Sequence, residues 1–361
     1  MTGSTARIQA IEANKADFDL VIDIRPHAGS TPTVYGAVAV TADRLLSNPS
    51  QFIGSNEDVV LVVCDIGLRS AIATDQLRSM GYSAAVSLEG GIESWITAGL
   101  PTISPEGLSR DDYARYDRQL KLPDFGIHGQ QALAGARVAI VGVGGLGSPV
   151  LGYLAAAGVG HLTIIDSDNV ELSNLHRQPI YTTSDVGRAK AEAAASYAAA
   201  LNPMIKITVS TTRIDTTNAA DILRGHDVIV TCIDSFETTH AINGAAVLLG
   251  VPMVFGSVYR TEGQMAVFDV RSGPCYACVF PGQSTDPGLD CSIVGVLGPV
   301  TGVIGSMQAT ETIKMIIGSS GVSTGLLILY DAEAQSIDRL SLQKVASCAT
   351  CGDRRASRIR V

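Results

Sequence analysis

Two α/β domains in tandem are the fold class that this sequence predicts: a small one, then a larger doubly wound parallel sheet with additional antiparallel strands. Three observations carry the expectation. Short apolar runs alternate with helix-length segments twice over, across residues 20–101 and again across 137–252. A polar break holding Pro105 and Gly107 separates the two series. A chain of 361 residues also exceeds what one small core organises and accommodates two. The expected layout is a first domain at 1–104, a linker at 105–112 and a second domain at 113–361.

Apolar residues make up 46% of the chain and charged ones 17%, the balance of a folded protein rather than a disordered one. A net charge of -9 and a pI near 5.1 argue against a general nucleic-acid binder and leave room for a local basic pocket for phosphates. Residues 1–20 have no apolar core behind a basic start, so no secretory leader is expected. Two Gly/Ala-rich stretches, 138–160 and 293–307, are apolar enough to suggest membrane spans, but a glycine turn cuts the first and Pro299 the second. Both are expected as buried core, in a cytoplasmic protein with no membrane partner. Seven cysteines, several in Cys-x-x-Cys pairs, point to metal binding or thiol chemistry rather than a disulfide framework.

The small domain opens with a strand at 20–25, LVIDIR, and continues with a buried-type run at 58–64, DVVLVVC. The loop DIGLRS and a helical pattern at 71–82 follow, then a strand at 83–87 and the segment LEGGIESWITAGLP. Cys64 thus stands where a buried strand gives way to a short loop before a helix. Such a loop wraps its N–H groups around one sulfur, and those donors, the helix dipole and Arg69 would stabilise a thiolate or persulfide. Cys64 is the expected sulfur carrier.

This half resembles the rhodanese family in its Cys-x-x-Gly-x-Arg-Ser loop, in Asp23 with Arg25 after the first strand, and in Leu88-x-Gly90-Gly91-x-x-x-Trp95-x-x-Ala98-Gly99-x-Pro101. The resemblance covers about residues 1–101 and implies sulfur transfer from thiosulfate or from another protein's persulfide; Asp65 beside the nucleophile would repel a dianion such as thiosulfate, which makes a cysteine desulfurase or other persulfide donor the expected partner. At 34–37 the chain departs from the family, with Val-Tyr-Gly-Ala in place of the usual Gly-His-Ile-Pro-Gly-Ala.

The larger domain is organised around RVAIVGVGGLGSP, residues 137–149, which has the pattern of strand, tight turn and helix start. Gly142, Gly144, Gly145 and Gly147 allow positive φ and close backbone approach, and the helix start offers free N–H groups and its dipole to a phosphate. Gly142, Gly144 and Gly147 with Asp166 also satisfy the dinucleotide fingerprint, so an NAD-dependent oxidoreductase stays open at this point. Further strands are expected at 161–166, 205–210 and 227–234, alternating with helices of which 187–201 is the clearest. Beyond Pro252, strands at 264–270 and 326–330 around one helix near 303–317 suggest a mixed or antiparallel continuation.

Arg115-Tyr116-Asp117-Arg118-Gln119 precede the glycine turn, and Asp166-x-Asp168-x-Val170-x-x-Ser173-Asn174-Leu175-x-Arg177-Gln178 follow it. Then come Asp185-Val186-Gly187 with Lys190, Cys232-x-Asp234, and the long segment 295–314. Residues 109–361 are similar to the ubiquitin-activating-like (E1-like) family, most closely to the molybdopterin- and thiamin-pathway adenylyltransferases that activate small sulfur-carrier proteins on a Rossmann-like fold. The resemblance implies ATP and Mg²⁺: Asp166 would hold the ribose, Asn174, Arg177 and Lys190 the phosphates, and Asp234 the metal, with Gly145 leaving room for the nucleotide. Arg118 would come from the partner subunit of a homodimer. Ser235 stands where the family commonly has Asn. No Gly-x-x-x-x-Gly-Lys occurs, which excludes a Walker-type NTPase.

Cys275-x-x-Cys278 and Cys348-x-x-Cys351 are two chelating pairs, and four thiolates suit tetrahedral Zn²⁺ in a structural role. Cys232 is expected as packing. Cys291 lies in the loop GQSTDPGLDCSIVGVLGP, and the resemblance implies a covalent thioester or acyl-disulfide with an activated carrier there.

Together the halves predict adenylation of a ubiquitin-like sulfur-carrier protein at the Gly142 turn, then displacement of AMP by the persulfide sulfur of Cys64 to give a thiocarboxylate. The nearest alternative is a ubiquitin-type activating enzyme using a thioester on Cys291; that class usually needs a C-terminal ubiquitin-like recruiting domain, and this sequence ends soon after Cys351. A threonylcarbamoyl-adenosine dehydratase is disfavoured by the four cysteines and the rhodanese-like half. A non-enzymatic scaffold would leave Cys64 inert. Relatives that fuse these domains commonly place the rhodanese-like part last, whereas here it precedes Arg118, from which sulfur delivery in trans across the dimer is expected.

Overall fold

The computed structural model describes residues 6–103 except 27, 29–31 and 35, together with 108, 110–282 and 295–352. The chain divides into two compact units, Met1–Ile127 and His128–Val361.

The first unit runs β1 (Arg7–Ile8), α1 (Ala10–Ala13), β2 (Leu20–Asp23), β3 (Thr33–Val34), β4 (Ala37–Ala39), α2 (Ala42–Ser47), β5 (Val60–Val63), α3 (Leu68–Ser79), β6 (Val86–Leu88), α4 (Gly91–Thr97), β7 (Thr102–Ile103) and α5 (Arg110–Leu120). Five of these strands form a parallel sheet in the order β1-β6-β5-β2-β4. The central strand β5 is buried at every residue because both faces are covered. Val60 and Val62 pack with Ile22, Leu45 and Leu77, while Leu61 and Val63 pack with Leu88, Ile92 and Trp95. At the end of β2 the buried carboxylate of Asp23 accepts hydrogen bonds from Arg25 (2.6 Å) and from the Thr33 hydroxyl (2.6 Å), which satisfies a charge that could not otherwise sit there.

α6 (Gly126–Gly135) starts in the last residues of the first unit and leads, in the second, into β8 (Arg137–Val141), α7 (Gly147–Ala157), β9 (His161–Ile165), α8 (Lys190–Leu201), β10 (Lys206–Ser210), α9 (Ala219–Leu223), β11 (Val228–Thr231) and α10 (Phe236–Leu249). β12 (Met253–Tyr259), β13 (Glu262–Phe268), α11 (Tyr276–Val279), α12 (Gly298–Ile316), β14 (Leu326–Asp331) and β15 (Ser336–Ser341) follow. The sheet order is β10-β9-β8-β11-β12-β13-β14-β15, parallel as far as β12 and antiparallel beyond it. The chain winds outward from β8 to β10, then returns to place β11 on the other side of β8. That reversal opens a crevice at the C-terminal ends of β8 and β11, where such sheets bind ligands.

Several element bounds differ from the sequence-based expectation, and two of the differences bear on the crevice and the helix beside it. The strand expected at 227–234 ends at Thr231, so Cys232 to Asp234 leave the sheet at its C-terminal end. Pro299 begins α12 rather than interrupting it, because a proline in the first turn gives up an N–H that has no helical partner there. α12 lies close on α7, since a Cβ at Gly305 would stand 2.5 Å from the Leu146 carbonyl oxygen. Among the described residues no helix is long and apolar enough to cross a membrane.

Candidate active sites

Cys64 directly follows β5 and is 1% exposed. The backbone N–H of Ser70 points at its Sγ from 3.3 Å, the Ser70 hydroxyl lies equally close, and the Ser87 hydroxyl donates to that of Ser70 at 2.8 Å. The loop is sealed from beneath by the Gly90-Gly91 turn. Ile92 N–H donates to the Cys64 carbonyl (2.8 Å) and Glu93 N–H to that of Asp65 (3.1 Å). A Cβ on Gly91 would fall 2.3 Å from the Cys64 carbonyl oxygen, so the close approach requires glycine. Arg69 forms an ion pair with Asp65, both half-exposed. The two effects expected of these residues, a cation for the sulfur and an anion against thiosulfate, are therefore one neutralised pair.

In the second unit Gly142 ends β8 at φ +88°, donates its N–H to the Ile165 carbonyl (2.8 Å), and would place a Cβ 2.7 Å from the Cys232 carbonyl oxygen. Gly147, at the start of α7, would drive a Cβ to 2.1 Å from the Gly142 carbonyl oxygen, so the turn closes only with glycine at both ends. Asp166, just past β9, fastens this turn by accepting from the N–H groups of Val143 (2.8 Å) and Asp168 (2.9 Å). Burial raises its carboxyl above the ordinary value, with those two N–H groups and the Lys190 ammonium pulling the other way. Lys190 begins α8, is nearly buried, and reaches the Asp168 carboxylate at 2.9 Å. Asn174 is buried and accepts the Glu171 N–H (3.2 Å), while Arg177 bonds the Ser173 carbonyl (3.0 Å). Asp234 is exposed and makes no hydrogen bond or ion pair among the described residues. Ser235 caps α10 by accepting the Thr238 N–H (3.3 Å), a task that the expected Asn also performs.

Gly142, Gly144, Gly145, Asp166, Asn174, Arg177, Lys190 and Asp234 line one cleft of about 1340 Å³ at the C-terminal ends of β8, β9 and β11. Of the four turn glycines only Gly147 stays out of the lining, its part being steric. Arg118 belongs to the other unit, on α5, where it is 93% exposed and pairs with Asp117 at 3.6 Å. Cys291 lies outside the described residues.

Two residues escaped the sequence-based site. The buried hydroxyl of Tyr181 shares its proton between the carbonyls of Val143 (2.9 Å) and Lys190 (3.2 Å), tying the glycine turn to the start of α8. Burial pushes that phenol far above its ordinary value, so it stays a donor. Gln178 is buried against Gly144, and its Oε1 has no partner among the described residues. An aromatic ring in a polar loop was the only signal for Tyr181; Gln178 stood in a motif but carried no assigned role.

The sulfurs of Cys275, Cys278, Cys348 and Cys351 lie within 4.8 Å of one another, with separations of 3.9, 3.7 and 3.4 Å for three of the pairs. Tetrahedral zinc at its usual bond length to sulfur needs about 3.8 Å between sulfurs, so the donor set fits that ion. Asn243 supports the site by accepting the Tyr276 N–H (2.9 Å) and pointing its Nδ2 at the Cys275 Sγ (3.8 Å). Cys232 is buried, and burial drives its thiol well above the ordinary value, in keeping with a packing role.

Residues 116–350 match the ThiF family, and residues 8–98 match the rhodanese-like domain. The sulfur carrier protein adenylyltransferase of Thermus thermophilus is 44% identical over 252 residues, which cover 68% of this chain and 93% of that protein. The adenylyltransferase and sulfurtransferase MOCS3 of Culex quinquefasciatus is 45% identical over 248 residues, 68% of this chain; the match spans only 57% of that relative. The solved structure of E. coli MccB with AMPCPP and MccA shares the fold, with a TM-score of 0.61 at 23% identity over 70% of this chain and 78% of that one. By these matches the chain belongs to the ThiF family and carries a rhodanese-like domain ahead of the family's own.

Proposed function

We propose that this chain uses ATP to adenylate the C-terminal carboxylate of a ubiquitin-like sulfur-carrier protein, then passes it sulfur from a persulfide on Cys64, yielding a thiocarboxylate. The observation that carries the proposal is the presence in one chain of a loop-held buried cysteine and a switch-point cleft lined by carboxylates and cations. The names of the two relatives above, one an adenylyltransferase of sulfur-carrier protein and one both adenylyltransferase and sulfurtransferase, support it. Family membership removes the nicotinamide alternative.

A carboxylate is a poor electrophile. Attack of its oxygen on the α-phosphorus expels pyrophosphate and gives an acyl adenylate whose carbonyl is reactive. Asn174, Arg177 and Lys190 would hold the phosphates, Asp166 the ribose, and the uncommitted Asp234 a Mg²⁺ ion, which supplies charge neutralisation when bound. Arg118 from the partner subunit of a homodimer would complete the site. The outer sulfur of the Cys64 persulfide then attacks the carbonyl and AMP leaves, forming an acyl disulfide. A thiol attacking the Cys64 Sγ breaks the S–S bond, frees the thiocarboxylate and leaves Cys64 in a disulfide, and sulfur crosses between subunits; Cys291 is the candidate for a covalent thioester or acyl disulfide with the activated carrier. Zn²⁺ on the four cysteines would pin residues 348–351 to α11. The setting is the cytoplasm, with molybdopterin or thiamin synthesis as the pathway served.

The test incubates the enzyme with ATP, a cysteine desulfurase charged with cysteine, and a panel of carrier proteins, then weighs each carrier. One carrier is expected to exchange a C-terminal oxygen for sulfur only when ATP is present. Exchange without ATP, or carrier adenylate that keeps its oxygen beside persulfidated Cys64, would reject the proposal.

A further inference from the structure

The sulfur loop and the start of the helix after it expose aliphatic side chains that neither packing nor chemistry requires. Ile66, Leu68 and Ile72 are 51%, 60% and 62% exposed. Leu68 and Ile72 stand one turn apart on α3 and form a ridge, with Ile66 just before them in the loop. The same helix buries Ala73 and Leu77 in the core cluster that also holds Cys64, so Leu68 and Ile72 lie on its opposite, solvent face, starting at the helix end that meets the sulfur loop.

The charges around this ridge are equally one-sided. Arg69 is the only cation in the loop 64–70, and it is committed to Asp65. Glu89 and Glu93 are exposed and have no ion-pair partner among the described residues. Both flank the turn that seals the loop: a Cβ on Gly67 would meet the Gly90 nitrogen at 2.8 Å, and the Glu93 N–H bonds the Asp65 carbonyl at 3.1 Å. A small dianion finds no free guanidinium here and two carboxylates at the border. An apolar surface with a basic margin finds complementary partners for both.

We propose that the Ile66–Leu68–Ile72 surface docks a protein persulfide donor whose reactive cysteine is carried on an apolar segment flanked by basic residues. The proposal rests on the reading of Cys64 as the sulfur carrier. In the step it serves, the Cys64 thiolate attacks the outer sulfur of the donor's Cys–S–SH, the donor's S–S bond breaks, and the donor leaves as a thiolate while the proton stays on the transferred sulfur. That attack happens at the sulfur of a residue that is 1% exposed, so the donor must press against the loop to reach it. A carrier adenylate meets the outer sulfur instead, one S–S bond of about 2.05 Å further out, and needs the ridge less.

The test compares the full chain with an Ile66→Ser/Leu68→Ser/Ile72→Gln variant and with a Glu89→Gln/Glu93→Gln variant. Persulfide on Cys64 is followed by mass spectrometry with two donors, a cysteine desulfurase charged with cysteine and free cysteine persulfide. An unchanged Trp95 fluorescence transition certifies that the first unit is folded. The expected result for the apolar variant is a fall of about tenfold or more in kcat/KM with the desulfurase, against a change of about twofold or less with cysteine persulfide. The carboxamide variant should lose part of the salt dependence of loading by the desulfurase. Equal losses with both donors, no loss with the desulfurase, or a wild type that accepts only cysteine persulfide would overturn the docking site. So would normal loading with slowed thiocarboxylate formation, which would assign the ridge to the carrier. A wild-type Cys64 that takes sulfur from neither donor would instead refute the sulfur-carrier reading beneath it.

Discussion

The two units hold their reactive groups in opposite ways. In the first, one cysteine is 1% exposed and its sulfur meets the backbone N–H and hydroxyl of Ser70, the hydroxyl backed in turn by Ser87, with the charges described nearby already paired or set at the border. In the second, the chemistry is spread along a cleft of about 1340 Å³ among charged side chains from several strand ends, and Asp234 has no hydrogen-bond or ion-pair partner among the described residues. The difference follows from what each has to move. Sulfur transfer makes and breaks bonds at one soft atom that water and stray thiols would waste, so enclosure serves it. Adenylation moves a triphosphate, whose charge must be met at several points at once, so preorganised cations in an open crevice serve it.

The largest effects test whether the division of labour is real. Cys64→Ala should abolish thiocarboxylate formation while carrier-dependent ATP–pyrophosphate exchange stays within about twofold of wild type. Asp234→Ala should do the reverse, lowering exchange by about 10²–10³ and leaving persulfide formation on Cys64 intact. Loss of exchange in Cys64→Ala would break the comparison.

Backbone substitutions sharpen it. Gly91→Ala would set a Cβ 2.3 Å from the Cys64 carbonyl oxygen at φ +62°, and Gly147→Ala one at 2.1 Å from the Gly142 carbonyl oxygen. Each forces apart two backbone segments and should cost its own unit about 3 kcal/mol. Trp95 is the only tryptophan and is buried in the first unit, so its fluorescence follows that unit alone. Gly91→Ala should lower the Trp95 transition and spare pyrophosphate exchange, whereas Gly147→Ala should leave Trp95 unmoved and lose exchange. Gly144→Ala is the milder control, because its Cβ would meet only the Gln178 side chain, at 3.4 Å.

These glycines also show which parts of the molecule were legible beforehand. Gly142, Gly147, Asp166 and the paired cysteines were readable because their task is local: a turn that tolerates no Cβ, an acid at the next strand end, two sulfurs one turn apart. The alternation of elements placed the sheet for the same reason. What depends on partners far along the chain was not readable. The bond from Tyr181 to Val143 joins residues 38 apart, and nothing near either residue announces it. The strand β15 is mostly exposed and has no apolar pattern, so only its pairing with β14 reveals it. Asp65 and Arg69 were visible as charges, but their spacing on the loop and first turn of α3 is what makes them neutralise each other.

The smallest expected effect concerns pH and again separates the units. His226 is buried, with Nδ1 3.0 Å from the Leu223 carbonyl and Nε2 2.8 Å from the Thr163 hydroxyl. Burial holds its imidazole below the ordinary value, the Leu223 carbonyl pulls it back up, and Arg137 adds to the lowering while Asp227 opposes it. His161 is lowered too, by burial and then by Arg137 and Lys206, as is His240 by burial. A histidine lowered by folding stays neutral in the native state while the unfolded chain takes up its proton. The part of the second unit's stability linked to these histidines is therefore fully present above about pH 6.5 and is lost as pH falls below that value toward the lowered native one. The first unit's single histidine, His27, lies outside the described residues, and nothing described there predicts the same slope. Thermal unfolding between about pH 7.5 and 5.5, followed by Trp95 fluorescence for the first unit and by retained pyrophosphate exchange for the second, should show the second falling faster. His226→Gln keeps a donor and an acceptor but cannot titrate, so it should flatten that fall; an unchanged slope in the variant would show that the buried imidazole does not set it.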